Sequence, residues 1–268
     1  MKTRVYIILL SVVLWGCQKK ENSKTFIPRA LNANEGFNQY QNENQGVLKI
    51  YKYGDSPGTG NLEGKEWFGV KFSDTTLRIQ TDAGDKDVVF DRFTFAQFVN
   101  TQKTCLLVQL PGSPGLVAPF YLIALKHGKP DVISLFRPSA GKQDRRFTKG
   151  LEYVGRSGYL INNDFFITSV DARVYMIKRQ NPEERIQGLH FINSPDRRTL
   201  VFLVYSSLYE VHYPTGEVFT QRLSGAPENL KDVYKWIQDN YSWKKNEKGI
   251  FFLKKNDNDR IVDISEFK

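Results

Sequence analysis

The chain has 268 residues, 40% of them hydrophobic and 13% aromatic, with a formal net charge of +9. That composition excludes a disordered chain, and the length is enough to bury a core without disulfide staples. The basic residues come as scattered pairs (Arg145-Arg146, Arg197-Arg198, Lys244-Lys245, Lys254-Lys255), which suit solvated turns and strand edges and form no dense cationic run.

The first element is a leader. Met1-Lys2-Thr3-Arg4 is a basic start, and Val5–Trp15 is apolar throughout except for Tyr6 and Ser11. At 1.5 Å per residue a helix of that length falls short of a hydrocarbon core of ~30 Å, so the stretch reads as a removable signal sequence. It closes on Leu14-Trp15-Gly16-Cys17, a small residue followed by cysteine. This resembles the lipobox of bacterial lipoproteins, over residues 1–17 only, with Trp15 departing from the small residue usual at that place. The resemblance implies loss of residues 1–16 and acyl chains such as palmitate on Cys17. It implies a cell-envelope protein held to a membrane by lipid and facing the periplasm or the surface. An aspartate at position 18 would resemble an inner-membrane retention signal, so Gln18 leans towards the outer membrane. The resemblance implies no activity, and nucleic acid is not an expected partner there.

With Lys2 and Arg4 removed, 36 basic residues face 29 acidic ones. A modest positive field favours anionic neighbours, which in an envelope means headgroups or acidic glycans. The other cysteine, Cys105, has no internal partner if Cys17 is acylated; Leu106-Leu107-Val108 follow it, so it reads as a core residue.

Residues 17–45 carry the acylated cysteine and a polar run of Asn, Gln, Glu and Lys, which reads as a flexible tether lifting the body off the bilayer. From residue 46 to 268 the pattern is that of one β-rich domain. Apolar or alternating runs predict strands over Val47–Tyr53, Trp67–Phe72, Thr76–Gln80, Asp87–Phe90, Cys105–Leu110, Ala118–Lys126, Asp131–Phe136 and Leu151–Tyr153. More follow over Phe165–Ser169, Val174–Lys178, Gly188–Ile192, Thr199–Tyr205, Leu208–His212, Val218–Leu223, Ile250–Leu253 and Ile261–Ile264. Hairpins are predicted through His127–Pro130, Tyr213–Gly216 and Asn256–Asp259. The stretch from Ser194-Pro195-Asp196 to Thr215-Gly216-Glu217 resembles one blade of a β-propeller. Turns near residues 83, 128, 181, 215 and 257 recur at roughly blade length, ~40–50 residues. The fold class is therefore mainly β, an irregular propeller-like or sandwich body.

Two helices interrupt the strands. Thr94-Phe95-Ala96-Gln97 has capping-box spacing, with Phe95, Phe98 and Val99 on one face. Pro227–Tyr241 has proline at the first helical position and a stripe of Leu230, Val233, Tyr234 and Ile237.

The search for chemistry finds no catalytic signature. Gly58–Lys65 lacks phosphate-loop spacing, with Thr59 at the first glycine position and Glu66 after the lysine. Gly112-Ser113-Pro114-Gly115 and Gly155-Arg156-Ser157-Gly158 do not match a nucleophile elbow. His127, His190 and His212 show no metal-ligand spacing. Asp82–Asp87 and Asn256–Asp259 read as turns rather than calcium loops. No metal or cofactor is expected. Trp243, beside Lys244-Lys245, is the candidate ligand-binding aromatic, suited to an anionic glycan. The expected function is a non-enzymatic lipoprotein whose loops meet a protein or glycan partner. The alternatives are an envelope glycan or peptidoglycan hydrolase with paired carboxylates, and a small-ligand sensor using an axial channel.

Overall fold

A computed structural model describes residues 22–31, 33–37, 47–53, 66–81, 88–112, 119–139 and 149–256. The protein is mainly β, with a single helix among the described residues and no closed barrel. Three short strands come first, β1 (Ser23–Phe26), β2 (Arg29–Ala30) and β3 (Glu35–Gly36). The first meander is β4 (Leu48–Tyr53), β5 (Trp67–Phe72), β6 (Thr75–Gln80) and β7 (Val89–Phe90). The second is β8 (Phe95–Phe98), β9 (Cys105–Gln109), β10 (Phe120–Lys126) and β11 (Lys129–Ser134). The third is β12 (Leu151–Val154), β13 (Gly158–Ile161), β14 (Phe165–Thr168) and β15 (Arg173–Met176). The fourth is β16 (Leu189–Asn193), β17 (Thr199–Val204), β18 (Ser207–His212) and β19 (Glu217–Arg222). Helix α1 (Leu230–Asn240) then leads into the hairpin of β20 (Tyr241–Lys245) and β21 (Phe251–Lys255). Each four-strand meander pairs antiparallel in chain order, as in a propeller blade.

Successive sheets stack face to face, and the residue alternation shows it. In β10, Phe120, Leu122 and Ala124 join the cluster shared with the third sheet, while Tyr121, Ile123 and Leu125 join the cluster shared with the first. A strand covered on both faces needs an unbroken apolar run, and Phe-Tyr-Leu-Ile-Ala-Leu is one. β17 does the same, with Leu200 and Phe202 on one side and Val201 and Leu203 on the other. Each such side chain contributes about 1.5–3 kcal/mol by leaving water. The first sheet is different: Leu48, Ile50, Val70, Leu77 and Ile79 face the core, and Lys49, Tyr51, Lys71 and Arg78 alternate with them.

The hairpin at His127-Gly128 is a two-residue turn with φ of 50° and 74°, so Lys126 pairs directly with Lys129. Pro130 therefore lies in β11 and not in the turn. Of the expected hairpin at 256–259, only Asn256 is among the described residues; Ile261–Ile264 also lies outside them.

Three expectations are corrected. Thr94–Gln97 is not helical. Phe95 packs on the cluster between the second and third sheets, Phe98 on the one between the first and second. A strand half-covered on both faces mimics helical spacing here, because an apolar side chain, Phe95 or Phe98, points to each face. The real helix starts at Leu230 and not at Pro227: Asn229 caps it, its Oδ1 accepting from Lys231 N at 3.1 Å. Its buried stripe is Val233 and Ile237, facing Leu203, Leu208 and Leu253, while Leu230 and Tyr234 are exposed.

The third correction concerns the polar tether. Within it, residues 23–31 and 33–37 form a strap across three sheets. β1 runs parallel to β6, with Ser23 opposite Thr76 and Phe26 opposite Ile79. β2 runs parallel to β11, and β3 antiparallel to β15. Backbone pairing explains why a polar segment orders: the hydrogen bonds come from sheet edges, not from its own apolar pattern. Two of its apolar side chains, Leu31 and Phe37, are buried in the cluster between the second and third sheets, while Ile27 is exposed. Arg29 closes the strap, with Nη2 at 2.7 Å from Glu35 Oε2 and 2.8 Å from Asp131 Oδ2.

Candidate functional site

Four buried polar residues, Asn162, Asn163, Asp164 and Arg179, gather where two crossovers meet one turn. Residues 135–139 leave β11 and residues 177–188 leave β15; both lie against the β13–β14 turn, Asn162-Asn163-Asp164. Asn suits such a turn, since its short polar side chain tolerates left-handed backbone, and Asn162 and Asn163 have φ of 55° and 56°. All three turn residues are buried, so each polar atom needs a partner. Asn162 Oδ1 accepts from Gly150 N at 2.9 Å. Asn163 Nδ2 donates to the carbonyls of Ile186 and Gly188 at 2.9 and 2.8 Å.

Asp164 is the centre of this hub. Arg179 donates to it twice, Nε to Oδ1 and Nη2 to Oδ2, each at 2.9 Å. Arg137 Nη2 adds a bond of 2.8 Å, and Arg185 Nη1 lies 3.9 Å from Oδ2. Arg179 spends its other donors on the carbonyls of Pro138, Pro182 and Arg137. A buried charge is tolerated only when paired and fully hydrogen-bonded, and Arg179 meets that condition. Arg137 does so less completely: burial holds its guanidinium below the usual arginine range although Asp164 opposes the shift, and its Nε has no partner among the described residues.

Beside the hub, the 179–187 crossover and the β17–β18 hairpin enclose a pocket of about 250 Å³. Arg179, Arg185, Glu184, Gln187, Tyr205 and Tyr209 are among its lining residues. Tyr205 is 88% exposed in the hairpin turn. Tyr209 is held by a bond from its hydroxyl to the carbonyl of Lys178 at 2.8 Å, and burial pushes its phenol up. Guanidinium, amide and phenol groups together recognise anionic or polyhydroxylated ligands through directed hydrogen bonds. Paired-carboxylate hydrolysis needs two acids ~5–9.5 Å apart, and Glu184 is the one acid in this lining.

The residues singled out from the sequence lie elsewhere. Trp243 sits in β20 opposite Leu253 and packs half-buried on the cluster formed by the fourth sheet and α1, away from the pocket lining. Cys105 is fully buried, and burial pushes its thiol up, as suits an inert core residue. His127 occupies a hairpin turn, His190 bonds Asn193, and His212 bonds Thr215 with burial holding its imidazole down. Gly155-Arg156-Ser157 forms the β12–β13 turn. Cys17, Gly58–Lys65 and Asp82–Asp87 lie outside the described residues. Among the described residues no group of three or more His, Cys, Asp or Glu side chains is placed to hold a metal.

Sequence reasoning did not find the Arg137–Asp164–Arg179 hub. Its members come from three separate connections, and the only local signal is the turn-forming Asn-Asn-Asp triplet. In comparisons with known proteins, the chain matches no family model, no curated protein and no solved structure.

Proposed function

We propose that the protein is a bacterial cell-envelope lipoprotein, held to the outer membrane by acyl chains on Cys17, whose β body binds or scaffolds a protein or anionic-glycan partner without chemistry of its own. The observation that carries the anchor is Leu14-Trp15-Gly16-Cys17 behind a short apolar run too short to span a bilayer. The pocket beside Asp164 supports binding over paired-carboxylate hydrolysis, because the exposed phenol of Tyr205 lines it beside a single acid, Glu184, while the Arg179 donors are spent on Asp164 and backbone carbonyls.

The test joins fractionation with capture. Cys17→Ser should move the protein from the membrane fraction to the soluble one, and the native protein extracted in mild detergent should bring a partner or retain an acidic oligosaccharide. A Cys17→Ser protein that stays with the membrane refutes the anchor. Glycan cleavage that disappears with Glu184→Gln would favour a hydrolase.

A further inference from the structure

Resting on the lipid-anchor reading, we infer that the body lies directly against the headgroups, with the start of β1 and the β5–β6 turn facing an anionic lipid surface. A tether of nearly thirty polar residues would hold the body well away from the bilayer. The strap removes that freedom. Thr76 N donates to Asn22 O at 2.7 Å, and Ser23 pairs with Thr76, so the chain is fastened to the first sheet from residue 22 onward. Six residue steps separate Cys17 from Ser23, which allows about 20 Å even when fully extended.

The strap does not peel readily. Arg29 is bound to Glu35 and Asp131, and Phe37 is 1% exposed, with its N–H on Ala172 O and its carbonyl accepting from Thr104 Oγ1. Release would cost these bonds and the burial of Phe37 together. The lipid-bearing cysteine is therefore leashed to one place on the body, the corner where Asn22 meets the turn Ser73-Asp74.

The charge at that corner fits headgroups. Lys49 on β4 is exposed, and Lys71 lies opposite it with its Nζ 5.0 Å from the Tyr51 ring centroid, on the same face as Ser23; Lys24, also exposed, projects from the other face of the edge strand. Asp74 is the acid in the turn, and Lys19-Lys20 sit within the connecting residues. Val47, whose carbonyl accepts from Ser73 N at 3.0 Å, is an exposed apolar side chain beside them. Cations near an anionic surface each contribute on the order of 1 kcal/mol, enough to press a body already tethered within a few residues.

The experiment labels Asp74→Cys in the full acylated protein with a fluorophore, Cys105 being fully buried and not competing for the reagent. The protein is placed in phosphatidylglycerol-containing vesicles that carry a headgroup quencher. Strong quenching is expected, falling roughly threefold when twenty Gly-Ser residues are inserted after Gln18, since such a linker spreads over some 25 Å. Lys49→Glu with Lys71→Glu should reduce quenching at unchanged vesicle binding. Equal quenching with and without the insertion, or none in a protein shown by mass spectrometry to be acylated, overturns this arrangement alone. A bare Cys17 overturns the anchor itself.

Discussion

Arg179 and Asp164 face each other through two parallel hydrogen bonds of 2.9 Å, both side chains 2% exposed, at the crossing of two inter-sheet connections. The pair ties together loops whose apolar members bury in different clusters, Leu135 in one and Ile177 and Ile186 in another. Asp164→Asn leaves Arg179 and Arg137 buried without a counter-charge, a loss of about 3–5 kcal/mol for a broken buried pair. Urea unfolding should show that loss. Arg179→Lys should not recover it, since an ammonium cannot reproduce the two-pronged contact.

Glu210 gives the molecule a pH dependence of its own. It is 1% exposed in β18, with Oε1 accepting from Gln221 Nε2 at 2.6 Å and Oε2 from Leu253 N at 2.9 Å, and burial pushes its carboxyl up to about 7. Between its ordinary value of 4.5 and 7 the folded state holds the proton more tightly than the unfolded one. The contribution is therefore full below pH 4.5, declines as pH rises and is gone above 7, a fall of about 3 kcal/mol at 1.36 kcal/mol per unit. Denaturant titrations at pH 5 to 8 should show Glu210→Gln with a slope flatter by that amount.

The strap makes a separate prediction. Glu35 and Asp131 raise Arg29 above its usual range, the Glu35 bond being the larger cause. Arg29→Ala should cost only about 1 kcal/mol overall, because these groups are partly exposed. Amide exchange should nevertheless rise sharply over Ser23–Gly36 and little in β10. Uniform change across both regions would show that the strap is not a separate opening unit.

Gly158 is a site of close approach. A Cβ there would lie 2.0 Å from the carbonyl oxygen of Ile167 in the neighbouring strand, an atom that cannot move without breaking the β13–β14 ladder. Gly158→Ala should cost about 3 kcal/mol by overpacking, visible as a lower thermal midpoint. Gly155→Ala, where the space is open but φ is +54°, should cost less.

Much of the fold was legible along the chain, and each failure has its own physical cause. Phe120–Leu125 and Thr199–Val204 read as strands because an apolar run of that length fits a strand covered on both sides. β13 went unread, since Gly158-Tyr159-Leu160-Ile161 is short and follows a turn. β8 was taken for a helix because partial cover on two faces removes the alternation that distinguishes the periods. In the candidate site, Tyr209 was visible as a strand residue, while Arg137, Asp164 and Arg179 stood in stretches that looked like ordinary solvated loops.

The sequence by itself determined the alternation of apolar segments and turns and the mainly β class, because each depends on residues within a few positions of one another. Only the tertiary structure decided that the polar stretches 23–31 and 33–37 are strapped across three sheets and that one aspartate binds guanidinium groups from two crossovers. The partners lie 102 residues apart for Arg29 and Asp131 and 27 apart for Arg137 and Asp164. Backbone edges and charges carry no periodic mark of whom they will meet, and pairing over such separations is chosen by the packing of the sheets between them.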